Sequence, residues 1–277
     1  MVEPIKELRK ICRKPNIYEE ELYTKLVTRK ISIYFTKLFL MLGMSGNQVT
    51  ILYIIISMIG IFFLFFGRLD YLLIGALILN FGFIIDTSDG EVARYRKKSS
   101  VTGLQIDELS HQLLPKLMYF GVAFGIFLQT NQISVLIFGF LAALFSTSIV
   151  NSALYWAVIK TRFRKIEQKS TKKEKKIDKD NKIMKLGEIK GKFSILYDIS
   201  KNIKFLWICP YDKLILFFLI IIEITNKYYL QIIPVYSVLY WYIIIYGVLF
   251  TIIQSLSFVI SVKSRNADKI YNYVFNK

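Results

Sequence analysis

The chain has 277 residues, 54% of them hydrophobic and 16% aromatic, with a formal net charge of +17. A mean hydropathy of +0.44 and several apolar runs near the roughly 20 residues that cross a bilayer exclude an ordinary soluble enzyme. A charge of +17 is also met in nucleic-acid binders, but its distribution here follows membrane topology. Of the 37 Lys and Arg, only Arg68 and Lys227 fall in turns expected on the external side. Basic residues held on one side orient a membrane protein with that side cytoplasmic. The expectation is a multi-pass protein of the cell membrane, both termini cytoplasmic, with the lipid bilayer and no nucleic acid as partner.

The predicted elements run as follows. Residues 1–20 carry mixed charge and no apolar core ahead of a small-residue cleavage site, so no cleavable signal peptide is expected. Residues 22–43 interleave Leu26, Ile33, Phe35 and Leu40 with Lys25, Arg29, Lys30 and Lys37. That pattern predicts an amphipathic helix lying on the cytoplasmic leaflet. After the polar turn Ser45–Gln48, a first span is predicted from Val49 to Phe66, and after Gly67–Asp70 a second from Tyr71 to Ile85. Helix can continue past its apolar part to about Arg94. A basic loop, Tyr95–Thr102, leads to a third helix over Gly103–Leu128, with Pro115 as a point of kinking. A fourth span is predicted over Ile133–Ile159. Residues 160–206 are nearly all charge and read as a cytoplasmic insert, at least partly disordered. A fifth span covers Leu214–Thr225, or starts near Cys209, and a sixth covers Val235–Val262. The fold class is therefore all-α, with six transmembrane helices and an N-terminal interfacial amphipathic helix. Its segments are the arm 1–46, spans one to four over 47–160, the basic insert 161–208, and the last two spans and tail over 209–277. Cys12 and Cys209 lack metal-site or disulfide spacing and read as two free thiols.

The most informative stretch is DTSDGEVARYRKKSSVTGLQIDELSH, residues 86–111. On a helix, Asp86, Asp89, Gly90 and Ala93 share a face. Two small residues there let a ligand approach the backbone, and Arg94 can reach a phosphate. On the next helix Gly103, Asp107 and His111, spaced by four, share a second face. A short loop makes the two helices antiparallel neighbours, so the faces can meet in a cavity of three acids, one imidazole and one guanidinium. Carboxylates at a membrane edge are costly and usually functional. Hard oxygen donors suit Mg²⁺ or Mn²⁺, and such ions neutralise phosphate charge. The chemistry implied is phosphoryl transfer at the membrane surface.

These residues resemble the signature of the CDP-alcohol phosphotransferases, D-x2-D-G-x2-A-R-x8-G-x3-D-x3-D. Asp86, Asp89, Gly90, Ala93, Arg94, Gly103 and Asp107 match it at the right spacing. The likeness covers roughly residues 45–160, and beyond them only the general layout agrees. The resemblance implies transfer of a substituted phosphate from a CDP-alcohol donor to a hydroxyl acceptor, with release of CMP. It implies Mg²⁺ or Mn²⁺ held by Asp86, Asp89 and Asp107. It also implies a nucleotide site drawn from Asp86, Gly90, Ala93, Arg94 and Gly103, with Ser100 as a further polar contact. Asn47 and Thr50 resemble the N-x-x-T that lines that site, and family members are homodimers.

One position departs from the signature: His111 stands where the family has the aspartate that acts as general base. Three readings stay open. His111 is the base in a variant branch, since imidazole titrates near neutrality and can take an alcohol proton. Or it is a metal ligand or hydrogen-bonding residue. Or activity has been lost. The donor is expected to be a CDP-diacylglycerol-like lipid, in phospholipid biosynthesis. A soluble CDP-alcohol transferred to a lipid or glycan hydroxyl is the alternative, as is a non-catalytic protein that kept the pocket. Simpler readings stand beside these: Asn47 and Thr50 cap the first span, and Glu91 and Glu108 pair with Arg94, Lys98 or headgroups. Lys116 either snorkels or binds the acceptor. Gly121-x3-Gly125 packs helices within one subunit or between two.

Overall fold

A computed structural model describes residues 2–12, 24–97, 101–147 and 211–263, and over these residues the chain is helical with no strand. They fall into two compact units, one drawn from Met1–Thr147 and Phe205–Thr251, the other from Ser148–Lys204 and Ile252–Lys277. Of the second unit only a helical stretch, 252–263, is described. The larger unit carries everything that follows. The predicted insert, Cys209 and the last twelve residues of the fourth span, 148–159, lie outside the described residues.

The arm supplies α1 (Ile5–Ile11), whose Leu8 is buried. A π-turn over Thr24–Thr28 leads into α2 (Arg29–Met41). Then come α3 (Gly46–Leu64), α4 (Leu69–Tyr95), α5 (Val101–Thr130), α6 (Ile133–Phe145), α7 (Tyr211–Thr225) and α8 (Ser237–Lys263). Among the described residues, α3, α4, most of α5 and much of α8 are long and apolar enough to cross a membrane. In the described residues α6 and α7 are shorter than a full crossing. The outer faces are apolar as lipid requires: Phe62 is 60% exposed and Phe140 57%.

α4 fills the second predicted span and continues through the acidic motif to Tyr95, about 40 Å at 1.5 Å per residue. Its partner is α3. A Cβ on Gly75 would lie 2.7 Å from the Gly60 carbonyl oxygen, so the absence of side chains at that crossing lets the two backbones touch. α5 closes on the same pair. Gly67, at φ +70°, turns the chain between α3 and α4, and a Cβ on Gly125 would come within 2.3 Å of the Leu64 carbonyl oxygen. The glycine pair on α5 thus packs inside one subunit. Pro115 sits within α5, which runs unbroken past it.

Two predicted roles are corrected here. Glu91 does not lie at the surface, although Arg94, one of its expected partners, is within electrostatic reach. It is 3% exposed, and its carboxylate accepts hydrogen bonds from Ser32 Oγ at 3.1 Å and Thr36 Oγ1 at 2.6 Å. The cause is that α2 lies directly against α4, which turns this side of the motif helix into an interior. The cap of the first span is likewise not Asn47 but Ser45, whose Oγ accepts from the Gln48 amide while the Gln48 side chain accepts from the Ser45 amide. This reciprocal pair satisfies two of the amide donors that open a helix. At the other end of the unit, buried Glu223 of α7 accepts amide hydrogens from Tyr236, Val238 and Leu239, holding the start of α8 against α7.

Candidate active site

The capping box sets where α3 begins, and so where its side chains point. Thr50, one turn in and buried, lies with Oγ1 3.1 Å from the Gly46 carbonyl oxygen and 2.6 Å from Asp89 Oδ2. A hydroxyl has one proton to donate. The carboxylate oxygen is the nearer acceptor, so it takes that proton. Asp89 is thereby held from α3, within electrostatic reach of Asp86, Asp107 and His111. Asn47 sits one turn before Thr50 at the same end of α3.

α5 brings in the second half. Asp107 and His111 lie one turn apart, with His111 Nε2 3.2 Å from Asp107 Oδ1 and 3.8 Å from Asp86 Oδ1 on α4. The two faces read from the sequence therefore meet. One donor atom each from Asp86, Asp107 and His111 lies within 4.8 Å of the other two. Ligands about 2.1 Å from one Mg²⁺ sit up to about 4.2 Å apart, so the observed spacings fit a single ion with small closure. The carboxylates suit Mg²⁺ or Mn²⁺ better than the imidazole does. Asp86 is mostly buried, whereas Asp107 and His111 are more than a third exposed, so the group opens outward from α4.

The small residues of the motif have specific neighbours. A Cβ on Gly46 would lie 3.2 Å from the Ala93 Cβ, so Ala93 allows the start of α3 to approach α4. A Cβ on Gly90 would lie 3.0 Å from Arg94 Nη1, so the guanidinium folds back over the glycine. Arg94 Nε also donates to the Cys12 carbonyl oxygen at 2.7 Å, which ties the end of α1 to the motif helix. Gly103 lies on α5, one turn before Asp107. Ser100 and Lys98 lie outside the described residues. Glu108 accepts from Gln112 Nε2 at 2.8 Å, on its own helix. Lys116 is half-buried, five residues past His111, and at 100° per residue it leaves α5 about 140° away from the imidazole.

Sequence reasoning did not find the residues behind His111. The Tyr53 ring on α3 lies 6.3 Å from the imidazole ring. Lys213 of α7 is buried, with Nζ 3.5 Å from the Tyr53 hydroxyl and 5.4 Å from the ring centres of both Tyr53 and Phe83. The Asn80 side chain on α4 donates to the Lys213 carbonyl oxygen, fixing that end of α7. In the sequence, Asp212-Lys213 looks like ordinary charge before an apolar run. Only the packing of α7 on α4 makes it interior. By contrast Ser32 and Thr36, four apart on α2, were a readable signal for the polar partner they find in Glu91.

No curated protein is significantly similar to the chain. A family model described as CDP-alcohol phosphatidyltransferase matches residues 44–253, a stretch that starts just before the capping box and includes every residue of this site.

Proposed function

The chain belongs to the CDP-alcohol phosphatidyltransferase family, and on that premise we propose that it transfers the substituted phosphate of a CDP-diacylglycerol-like lipid to an acceptor hydroxyl, releasing CMP. The observation that carries this reading is the meeting of Asp86 on α4 with Asp107 and His111 on α5, with Asp89, one turn from Asp86, held separately by Thr50. In the reaction the acceptor oxygen forms a bond to the phosphorus that bears the lipid alcohol. The bond from that phosphorus to the oxygen of CMP breaks, and the acceptor proton passes to His111. Asp107, 3.2 Å from Nε2, orients the ring and stabilises the imidazolium that forms. Asp86, Asp89 and Asp107 would hold Mg²⁺ or Mn²⁺, which supplies neutralisation of the diphosphate charge.

The nucleotide lies along Asn47, Thr50, Gly90, Ala93, Arg94 and Gly103, with Ser100 from the connecting loop. Arg94 can serve it by turning from the Cys12 carbonyl to phosphate. On the acceptor side, Lys213 serves as a cation for an anionic substituent through Tyr53, whose hydroxyl it approaches and whose ring neighbours His111, while Lys116 leaves α5 on a different side. The reading further includes six spans, a cytoplasmic site in the cell membrane, and a homodimer. Transfer from a soluble CDP-alcohol to a lipid or glycan hydroxyl is the second reading, favoured by the histidine at position 111.

The test is release of CMP from radiolabelled CDP-diacylglycerol by membranes containing the protein, with the lipid products identified by mass spectrometry. Activity is expected only with a divalent ion, and Asp86→Ala should abolish it. Wild-type turnover by Asp86→Ala would sink the enzymatic reading. His111→Asp decides the base: activity that appears only in that variant means the native imidazole does not carry the proton.

A further inference from the structure

Away from the active site, four cations converge on one cavity. It lies between α1, α2 and α4, measures ≈ 340 Å³, and has Arg9 and Lys10 on one wall and Arg29 and Lys30 on the other. That volume is in the range of small-molecule sites, about 300–1,000 Å³. The carboxylate lining it, Glu91, already accepts hydrogen bonds from Ser32 and Thr36. Four cations against one acid leave a surplus of three positive charges among the lining residues. Arg9, Lys10 and Lys30 are solvent-exposed, so an anion can reach them.

The nature of that anion follows from α2. The helix that supplies Arg29 and Lys30 also exposes Ile31, Tyr34, Leu38 and Met41, the last 68% exposed. Their spacing of three and four places them on one stripe. A basic cavity beside an exposed apolar stripe matches a molecule with a phosphate head and hydrocarbon tails. All four cations lie on α1 and α2, which precede the stretch matched by the family, residues 44–253, while Glu91 lies inside it. It also opens on the Glu91 side of α4, away from Asp86 and Asp89.

We propose that this cavity binds the phosphate of an anionic phospholipid, whose acyl chains lie along the exposed stripe of α2. Each cation near a lipid surface adds about 1 kcal/mol, or about fivefold in affinity. The same contacts weaken as salt rises.

The experiment uses the full chain in nanodiscs of phosphatidylcholine containing some phosphatidylglycerol, with retained lipid read by native mass spectrometry. Selective retention of phosphatidylglycerol is expected, falling with salt. Arg9→Gln with Lys10→Gln and Lys30→Gln should lower it by about 100-fold, the product of three such factors. Arg9→Lys should keep it. Lys30→Gln alone should lower it about fivefold, which keeps the test decisive if the triple variant loses its thermal transition. Unchanged retention in the variants overturns the proposal. So does displacement of the lipid by equimolar inorganic phosphate, which would mark a site for free anions.

Discussion

Replacing Thr50 by Val tests whether the acidic site is held from α3. The two side chains have nearly the same shape, so packing at this buried position is kept and only the hydroxyl is lost. That hydroxyl sits 2.6 Å from Asp89 Oδ2. A hydrogen bond to a charged group contributes about 1.5–3 kcal/mol. If the whole of it serves to hold the carboxylate in its reactive position, kcat/KM should fall about 10- to 150-fold, since about 1.4 kcal/mol is a factor of ten. Part of the loss should be recovered by raising the Mg²⁺ concentration, because a loosened carboxylate binds the ion less tightly. Thr50→Ser keeps the donor and should stay within about threefold of the native enzyme. The assay is CMP release from labelled CDP-diacylglycerol across a Mg²⁺ titration, with thermal melting to confirm the fold. If Thr50→Val matches the native protein in both kcat/KM and half-saturating Mg²⁺, Asp89 does not depend on α3 and the geometric argument fails.

Three further outcomes follow from the packing. Gly125→Ala places a Cβ 2.3 Å from the Leu64 carbonyl oxygen; overpacking of this kind costs about 1–3 kcal/mol or more, so the melting temperature should drop, and an unchanged one would contradict the α3–α5 crossing. Glu91→Ala strands the hydroxyls of Ser32 and Thr36 in a buried site, at about 1–3 kcal/mol for each lost partner; proteolysis should then cut the 1–43 arm faster, and equal cutting rates would count against the docking of α2 on α4. Cys12 is pushed from 9.0 up to about 11, first by burial and then by the Glu91 carboxylate, with Arg94 and Arg29 opposing. A raised thiol pKa adds stability that is complete below about pH 9 and is lost as pH climbs through about 11. At pH 8 the thiolate fraction should be about 100-fold lower than in the unfolded chain, so in a Cys209→Ser background maleimide should react slowly until denaturant is added. Fast labelling of the folded protein would show Cys12 to be open.

Much of the site was legible because its chemistry is local. Asp86, Asp89, Gly90, Ala93 and Arg94 are placed by the pitch of one helix, and Gly103, Asp107 and His111 by that of the next. A short connection leaves two such helices little choice but to lie antiparallel. The periodicity by itself therefore implies that the two faces meet. Thr50 was legible as a member of the site but not as the hydrogen-bond donor to Asp89, since that contact spans 39 positions.

What the sequence alone determined is a helical chain with membrane-spanning character and a spaced set of acids ending in a histidine, because apolar run length and helical pitch are properties of neighbouring residues. What only the tertiary structure decided is which polar groups face one another across helices. The docking of α2 on α4 turned Glu91 from a surface acid into a buried acceptor, and tied to that arm, Arg94 reaches the Cys12 carbonyl. The docking of α7 on α4 put Lys213 beside Tyr53, whose ring in turn neighbours His111. Each of these depends on close approach at small residues and on side-chain direction, which one-dimensional spacing does not encode, so the acid cluster could be read from the chain while the surroundings that tune it could not.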